Sequence, residues 1–306
     1  MLSSTFRIVA LCLMNCLYLV SSPVQTFMHA PAETMTTVKS VDTESYTRAT
    51  WLWNTDIIRE QREEILSFAA SQQIHVIYLQ MNPDIRREYY HQFIREAGKH
   101  GIEVHVLNGA PAWALTSERP KLSYFMDWVA DYQVTAAPEE RFTGIHVDIE
   151  PHVLKEWTTS YDSLIKQWQS NVQYLVDRAG KLDLPITADI PFWLHKYSVP
   201  GESVTVSRWM MDKFDEVAIM AYRDQADNIY SVAAPELKEA DAAGVRAIVA
   251  IETKESSEGA FITFHEEGIE YMEEQLEIVE SLASQHPSYT GIAIHEYRSL
   301  KQLAER

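Results

Sequence analysis

Cysteine is nearly absent from this chain: two residues in 306, Cys12 and Cys16, both within the first twenty positions. Trimmed of that segment the protein would carry none, which excludes disulfide staples, cysteine nucleophiles and thiolate metal sites. Stability must then come from a packed core, which a 46% hydrophobic content over this length can supply. Basic charge is also scarce, with 26 Lys and Arg against 44 Asp and Glu. Such a field repels nucleic acid and anionic polymers, and no basic patch interrupts it, so a neutral or cationic substrate fits better. No serine sits in a nucleophile elbow, no glycine-rich nucleotide loop follows the first strand, and no tight histidine motif marks a metal. Cofactors and metals are accordingly not expected.

The opening segment has a composition of its own. Arg7 precedes an apolar run, Ile8–Val20, followed by Ser21, Ser22 and Pro23. Thirteen residues broken by Asn15 fall short of the roughly 20 that span a bilayer. Residues 1–30 therefore read as a secretory signal peptide, making the protein secreted and free of membrane contact beyond that segment. Removing them leaves 25 basic and 44 acidic residues, a net charge of −19. Residues 31–48 read as a flexible lead-in, with little apolar periodicity in PAETMTTVKSVDTESY.

From residue 49 to 306 one rhythm repeats, a β-branched run followed by a helix-length segment. Strands are expected at Ala49–Trp53, His75–Leu79, Glu103–Leu107, Gly144–Asp148, Ile186–Asp189, Glu216–Met220, Arg246–Ile251 and Gly291–His295. Helical spacing marks Ser160–Ala179, closed by Gly180, along with Pro83–Lys99 and Gly268–Gln285. Glycines 101, 244 and 291 precede strands and read as tight helix-to-strand turns. Eight such alternations predict an α/β fold, a single-domain (β/α)8 TIM barrel, over an open doubly wound sheet.

A barrel of this kind builds its active site at the carboxyl ends of its strands. In GIHVDIEPH, residues 144–152, Ile145, Val147 and Ile149 alternate with His146, Asp148 and Glu150. The apolar series must face the helices, leaving Asp148 and Glu150 toward the barrel axis. The same parity turns Asp189, Tyr222, Glu252, His295 and Tyr297 inward, with Asn108 ending the third strand. Four inward carboxylates at one rim are costly unless a proton, cation or substrate relieves them, which points to catalysis.

Glycoside hydrolysis uses such a set: Glu150 as general acid, Asp148 holding its proton, and Glu252 or another group stabilising the oxocarbenium-like centre. Trp51, Trp53, Trp113 and Trp193 near the rim would offer stacking faces to sugar rings, unless they pack as core. Arg223 completes the candidate substrate contacts. Two alternatives use the same residues, a non-catalytic carbohydrate-binding barrel and a metal-dependent or amidase-type hydrolase. His146 and His152 would lie about 20 Å apart along a strand and cannot share an ion. His75, His105 and His195 read as scaffold, and the acidic stretch Glu266–Glu280 as a solvated helix face. A glycan is the expected partner; the oligomeric state is open.

TGIHVDIE (143–150) resembles the strand-four motif DGxDxDxE of glycoside hydrolase family 18, the chitinase-type barrels, and MAYR (220–223) resembles that family's Met-x-Tyr-Asp segment. The resemblance implies Glu150 as acid, Asp148 as its partner, and Tyr222 binding a substrate acetamido group that serves as internal nucleophile. Thr143 and His146 stand where the first two aspartates belong, Arg223 replaces the acid after the tyrosine, and strand eight offers His295 or Tyr297 in place of tryptophan. A second resemblance is to the retaining glycosidases with acid/base Glu on strand four and nucleophile Glu on strand seven, here Glu150 and Glu252, with Ile149 in place of their usual Asn. The chain also looks like secreted bacterial barrel proteins that sometimes carry an amidase label.

Overall fold

The structure, a computed structural model, describes residues 46–306; the expected signal peptide and the lead-in up to residue 45 lie outside the described residues. Eight strands form a closed parallel barrel in sequence order, β1 (Thr47–Leu52), β2 (Val76–Gln80), β3 (Glu103–Asn108), β4 (Gly144–Val147), β5 (Ile186–Pro191), β6 (Glu216–Met220), β7 (Arg246–Glu252) and β8 (Tyr289–His295). Closure comes from β1 pairing with both β2 and β8. The barrel thus starts at Thr47, two residues before the expected Ala49, because Thr47 and Arg48 pair with Gly291 and Ile292. Around it lie α1 (Arg62–Ser71), α2 (Arg87–Lys99), α3 (Arg119–Thr135), α4 (Glu156–Thr159), α5 (Tyr161–Leu182), α6 (Val206–Met211), α7 (Ala226–Ala243), α8 (Ile269–Ala283) and α9 (Tyr297–Ala304).

Strand parity divides the core in two. Ile145, Val147, Ile149, Ile186, Val217, Val249, Ile251, Ile292 and Ile294 point outward and pack with the helices. Ala49, Trp51, Tyr78, Leu107, Ala218, Ile248, Ala250 and Ala293 fill the barrel itself. Each buried branched side chain contributes on the order of 1.5–3 kcal/mol, so the alternation fixes which residues reach the axis.

Most strand ends differ from expectation by one or two residues, and three further differences have a local cause. Helix α5 runs through Gly180 and closes at Asp183, whose φ of 54° places it in the left-handed region. Pro83 lies in a turn, where Asn82 Oδ1 accepts from the Asp84 N–H, so α2 begins only at Arg87. Gly101 and Gly244 turn with φ near +70°, but Gly291 is no turn residue. It sits inside β8, where one extra residue, Thr290, bulges opposite the Ala247–Ile248 step. Its φ is 142°, and a Cβ there would stand 1.9 Å from the Thr47 carbonyl oxygen.

That contact closes the barrel seam, so Gly291→Ala is expected to cost at least about 1–3 kcal/mol, lowering the melting temperature by several degrees. Gly98→Ala, within α2 and with nothing inside 4 Å of its Cβ, is expected to stabilise by roughly 0.5–1 kcal/mol. Thermal unfolding of the two variants checks the pair; equal melting temperatures would refute the close approach.

Candidate active site

The carboxyl ends of β4 through β8 bring four acids to one mouth. Asp148 is the first residue past β4, and Glu150 follows two later, half-buried. Gly109 holds Asp148 in place: a Cβ at 109 would lie 1.8 Å from the Asp148 carbonyl oxygen, and the Asp148 N–H donates to the Asn108 carbonyl. Asp189 follows Ala188, the register partner of Val147, on β5 and is almost fully buried. Glu252 ends β7, paired in register with His295, the end of β8.

Beneath them lies an aromatic floor. Tyr78 and His146 stack with ring centroids 3.8 Å apart, and Trp51 meets both edge-on, at 5.1 and 5.6 Å. Trp51 is 1% exposed, and its indole N–H donates to Asp189 Oδ2 at 3.3 Å. It therefore offers no open face to a sugar, because parity places it inside the barrel. His146 Nε2 lies 2.9 Å from the same oxygen, outside hydrogen-bond alignment. Burial lowers His146 to about 3 and raises Asp189 to about 8, so burial favours the neutral form of both partners over an ion pair.

Burial, reinforced by Asp189 and Glu150, drives the Asp148 pKa well above the usual carboxylate range, and its Oδ1 has no partner. Glu150 is raised as well, by burial and by Asp189, against the pull of His152 and His295. Its Oε1 lies 3.7 Å from His152 Nε2. Burial raises the Tyr222 hydroxyl, and the charges of Glu252, Asp189, Asp148 and Glu150 add to it.

On the far side, His295 bridges two partners. Its Nδ1 lies 2.9 Å from Glu252 Oε2, and its Nε2 accepts from the Trp53 indole N–H at 3.0 Å. Trp53 can only donate, so the network assigns the neutral tautomer with its proton on Nδ1. Burial disfavours charge on His295, yet the bond to Glu252 and the carboxylates of Glu252, Asp189 and Glu296 raise its pKa. A doubly protonated ring would set two N–H groups face to face, so charging His295 requires the Trp53 indole to turn away.

The remaining candidates divide between rim and scaffold. Trp193 stands at the rim against His152, centroids 5.0 Å apart, backed by Trp157 and Tyr197. Arg223 donates to the Tyr222 carbonyl and is sandwiched between Phe192 and Phe261. Asn108 Oδ1 is occupied by the Gly109 N–H. Trp113 is buried against Phe125 in the outer layer, where the loop after β3 turns it away from the mouth. Tyr297 opens α9, and since strand parity stops at His295 its ring packs outward on Phe68. A cavity of about 970 Å³ runs beside Trp53, His295, Lys254 and Tyr297, but none of the four acids lines it, which makes it an annex to the site. Among the described residues, no group of three or more His, Cys, Asp or Glu side chains is arranged to hold a metal ion.

Sequence reasoning missed the wall of His152, Trp157 and Tyr197 beside Glu150 and the Phe192–Arg223–Phe261 stack. The only available signal was a recurrence of aromatics just after strands four, five and seven.

No protein-family model and no curated protein matches the chain. Solved structures do. A mutant family 18 chitinase from Cycas revoluta in complex with (GlcNAc)4 is similar, with TM-score 0.51 and 13% identity over 83% of this chain and 95% of that one. The PgaB (BpsB) glycoside hydrolase domain from Bordetella bronchiseptica has TM-score 0.51 and 12% identity over 81% and 93%. The fold is that of distant family 18-like glycoside hydrolases.

The buried acids give a test by pH. Folded, Asp189 keeps its proton up to about pH 8; unfolded, only to near 3.9. The folded state thus binds more protons between those values, and stability falls as pH rises through the window. Asp189→Asn is expected to flatten the decline in melting temperature from pH 4 to 8; an unchanged slope would mean that Asp189 titrates normally.

Proposed function

We propose that the protein is an exported glycoside hydrolase that cleaves a neutral or amino-sugar glycan, with Glu150 as the general acid. One observation carries this reading: Glu150 is a half-buried carboxyl with a raised pKa, at a mouth shared with three more acids and flanked by an aromatic wall. A general acid must hold its proton near working pH and still reach the leaving oxygen, and a raised pKa with partial exposure supports that role. Trp193 and Tyr197 would stack on a sugar ring beside the scissile bond.

The fold likeness to a chitinase holding (GlcNAc)4 supports an amino-sugar glycan, and the strongly acidic chain fits a substrate without negative charge. The buried, unpartnered Oδ1 of Asp148 beside the Glu150 charge, and Tyr222 within the field of the same acids, fit roles next to Glu150. Export rests on the opening segment of the sequence.

A panel of polysaccharides and peptidoglycan, assayed for reducing ends with wild type and Glu150→Gln in parallel, tests the reading. The variant is expected to lose roughly 100- to 10,000-fold in kcat while still binding the glycan. Equal activity in both would remove Glu150 from the chemistry. Binding with no release of reducing ends by wild type would make the barrel a lectin, and loss of turnover on chelation would make it a metalloenzyme.

A further inference from the structure

Closed strand order sets β8 diametrically across the barrel from β4, with β7 beside β8. The strand that leads into Glu150 therefore lies across the barrel from the one that ends in His295. Glu252 is held by three donors: Oε1 accepts from the N–H groups of Thr253, at 2.9 Å, and Lys254, at 2.8 Å, while Oε2 accepts from His295 Nδ1–H. A carboxylate pinned at both oxygens cannot swing toward a sugar. The pair holds His295 in one tautomer, with its Nε2 lone pair capped by the Trp53 indole N–H and its ring braced by Trp51 and Tyr222, centroids 5.4 and 6.1 Å away. A carboxylate orienting an imidazole whose far nitrogen stays basic is an arrangement for proton abstraction.

We propose that His295, oriented by Glu252, is the general base that activates water on the face of the sugar opposite Glu150, so that hydrolysis inverts the anomeric centre. This rests on the reading of the site as a glycoside hydrolase. His295 Nε2 takes a proton from the water whose oxygen bonds to the anomeric carbon. The glycosidic C–O bond breaks, its electron pair goes to the leaving oxygen, and that oxygen takes the Glu150 proton. His295 is left as imidazolium against Glu252 and Glu150 as carboxylate; both are reset by proton exchange with solvent. The Trp53 N–H occupies the acceptor direction of Nε2, so the attacking water must displace it. The chitinase-type resemblance implies the opposite course, attack by a substrate acetamido group with retention.

The stereochemistry can be read on wild-type enzyme alone, by proton NMR of the first anomer released from a glycan that the panel shows to be cut. The inverted anomer is expected. Retention, with Glu150→Gln still inactive, would overturn the base assignment and leave the hydrolase reading intact; cleavage of no glycan would overturn both. His295→Asn is expected to lower kcat roughly 100- to 10,000-fold with KM within about threefold. Added imidazole is expected to restore at least about tenfold to His295→Ala and nothing to Glu150→Gln. Glu252→Gln, a positioning change, should lower kcat by about tenfold or more at unchanged KM. A His295→Asn kcat within about tenfold of wild type would also refute the proposal.

Discussion

Desolvation of carboxyl groups at the mouth of a closed barrel governs what every neighbouring group there can do. Four acids share the carboxyl end, and burial alone pushes Asp148, Glu150 and Asp189 toward the neutral form. Like charges at this spacing add to the effect, so ionising one raises the cost of ionising the next. The mouth is therefore a coupled system in which protons, not fixed ions, absorb the repulsion. Hydrogen-bond donors are shared unevenly among the four. Glu252, with three donors, is the acceptor of the set, while Asp148 Oδ1 has none.

The floor makes this arrangement possible. Trp51, Tyr78 and His146 seal the barrel below the acids and exclude water, and Trp51 adds a single N–H for Asp189. Such a layer packs only if β1 and β8 meet closely enough to close the ring. That meeting depends on a glycine at 291, where the bulge at Thr290 brings the Thr47 carbonyl within reach of any side chain. A backbone feature at the seam thus sets how dry the chemistry is several residues further along β8.

Much of this was legible in the residues. Alternation in GIHVDIEPH carries both strand and facing, because a one-residue slip would put isoleucines on the axis, and the same logic turned Asp189, Tyr222 and Glu252 inward. The eight strands and their order followed from repetition of that pattern. Parity failed where strands ended. Tyr297 is two residues beyond His295 but belongs to α9, and Trp113 follows β3 through a 3-10 turn that redirects it. Trp51 was assigned to the mouth from its place near the strand end, yet inward parity two residues earlier than Trp53 makes it floor. The aromatic wall at Glu150 joins His152, Trp157 and Trp193 across loops, and such proximity has no period in sequence.

Trp53 sets the two influences on His295 against each other. Glu252, Asp189 and Glu296 draw a second proton onto the ring, while a donor-only indole aimed at Nε2 excludes it. The outcome turns on occupancy of the mouth. With Trp53 in place the lone pair is held and the ring stays neutral; with the indole displaced, Nε2 is free to accept a proton and the surrounding carboxylates stabilise the cation that forms. One indole N–H thus withholds the second proton that the surrounding carboxylates would otherwise draw onto the ring, so the tautomer of His295 depends on Trp53 as much as on Glu252.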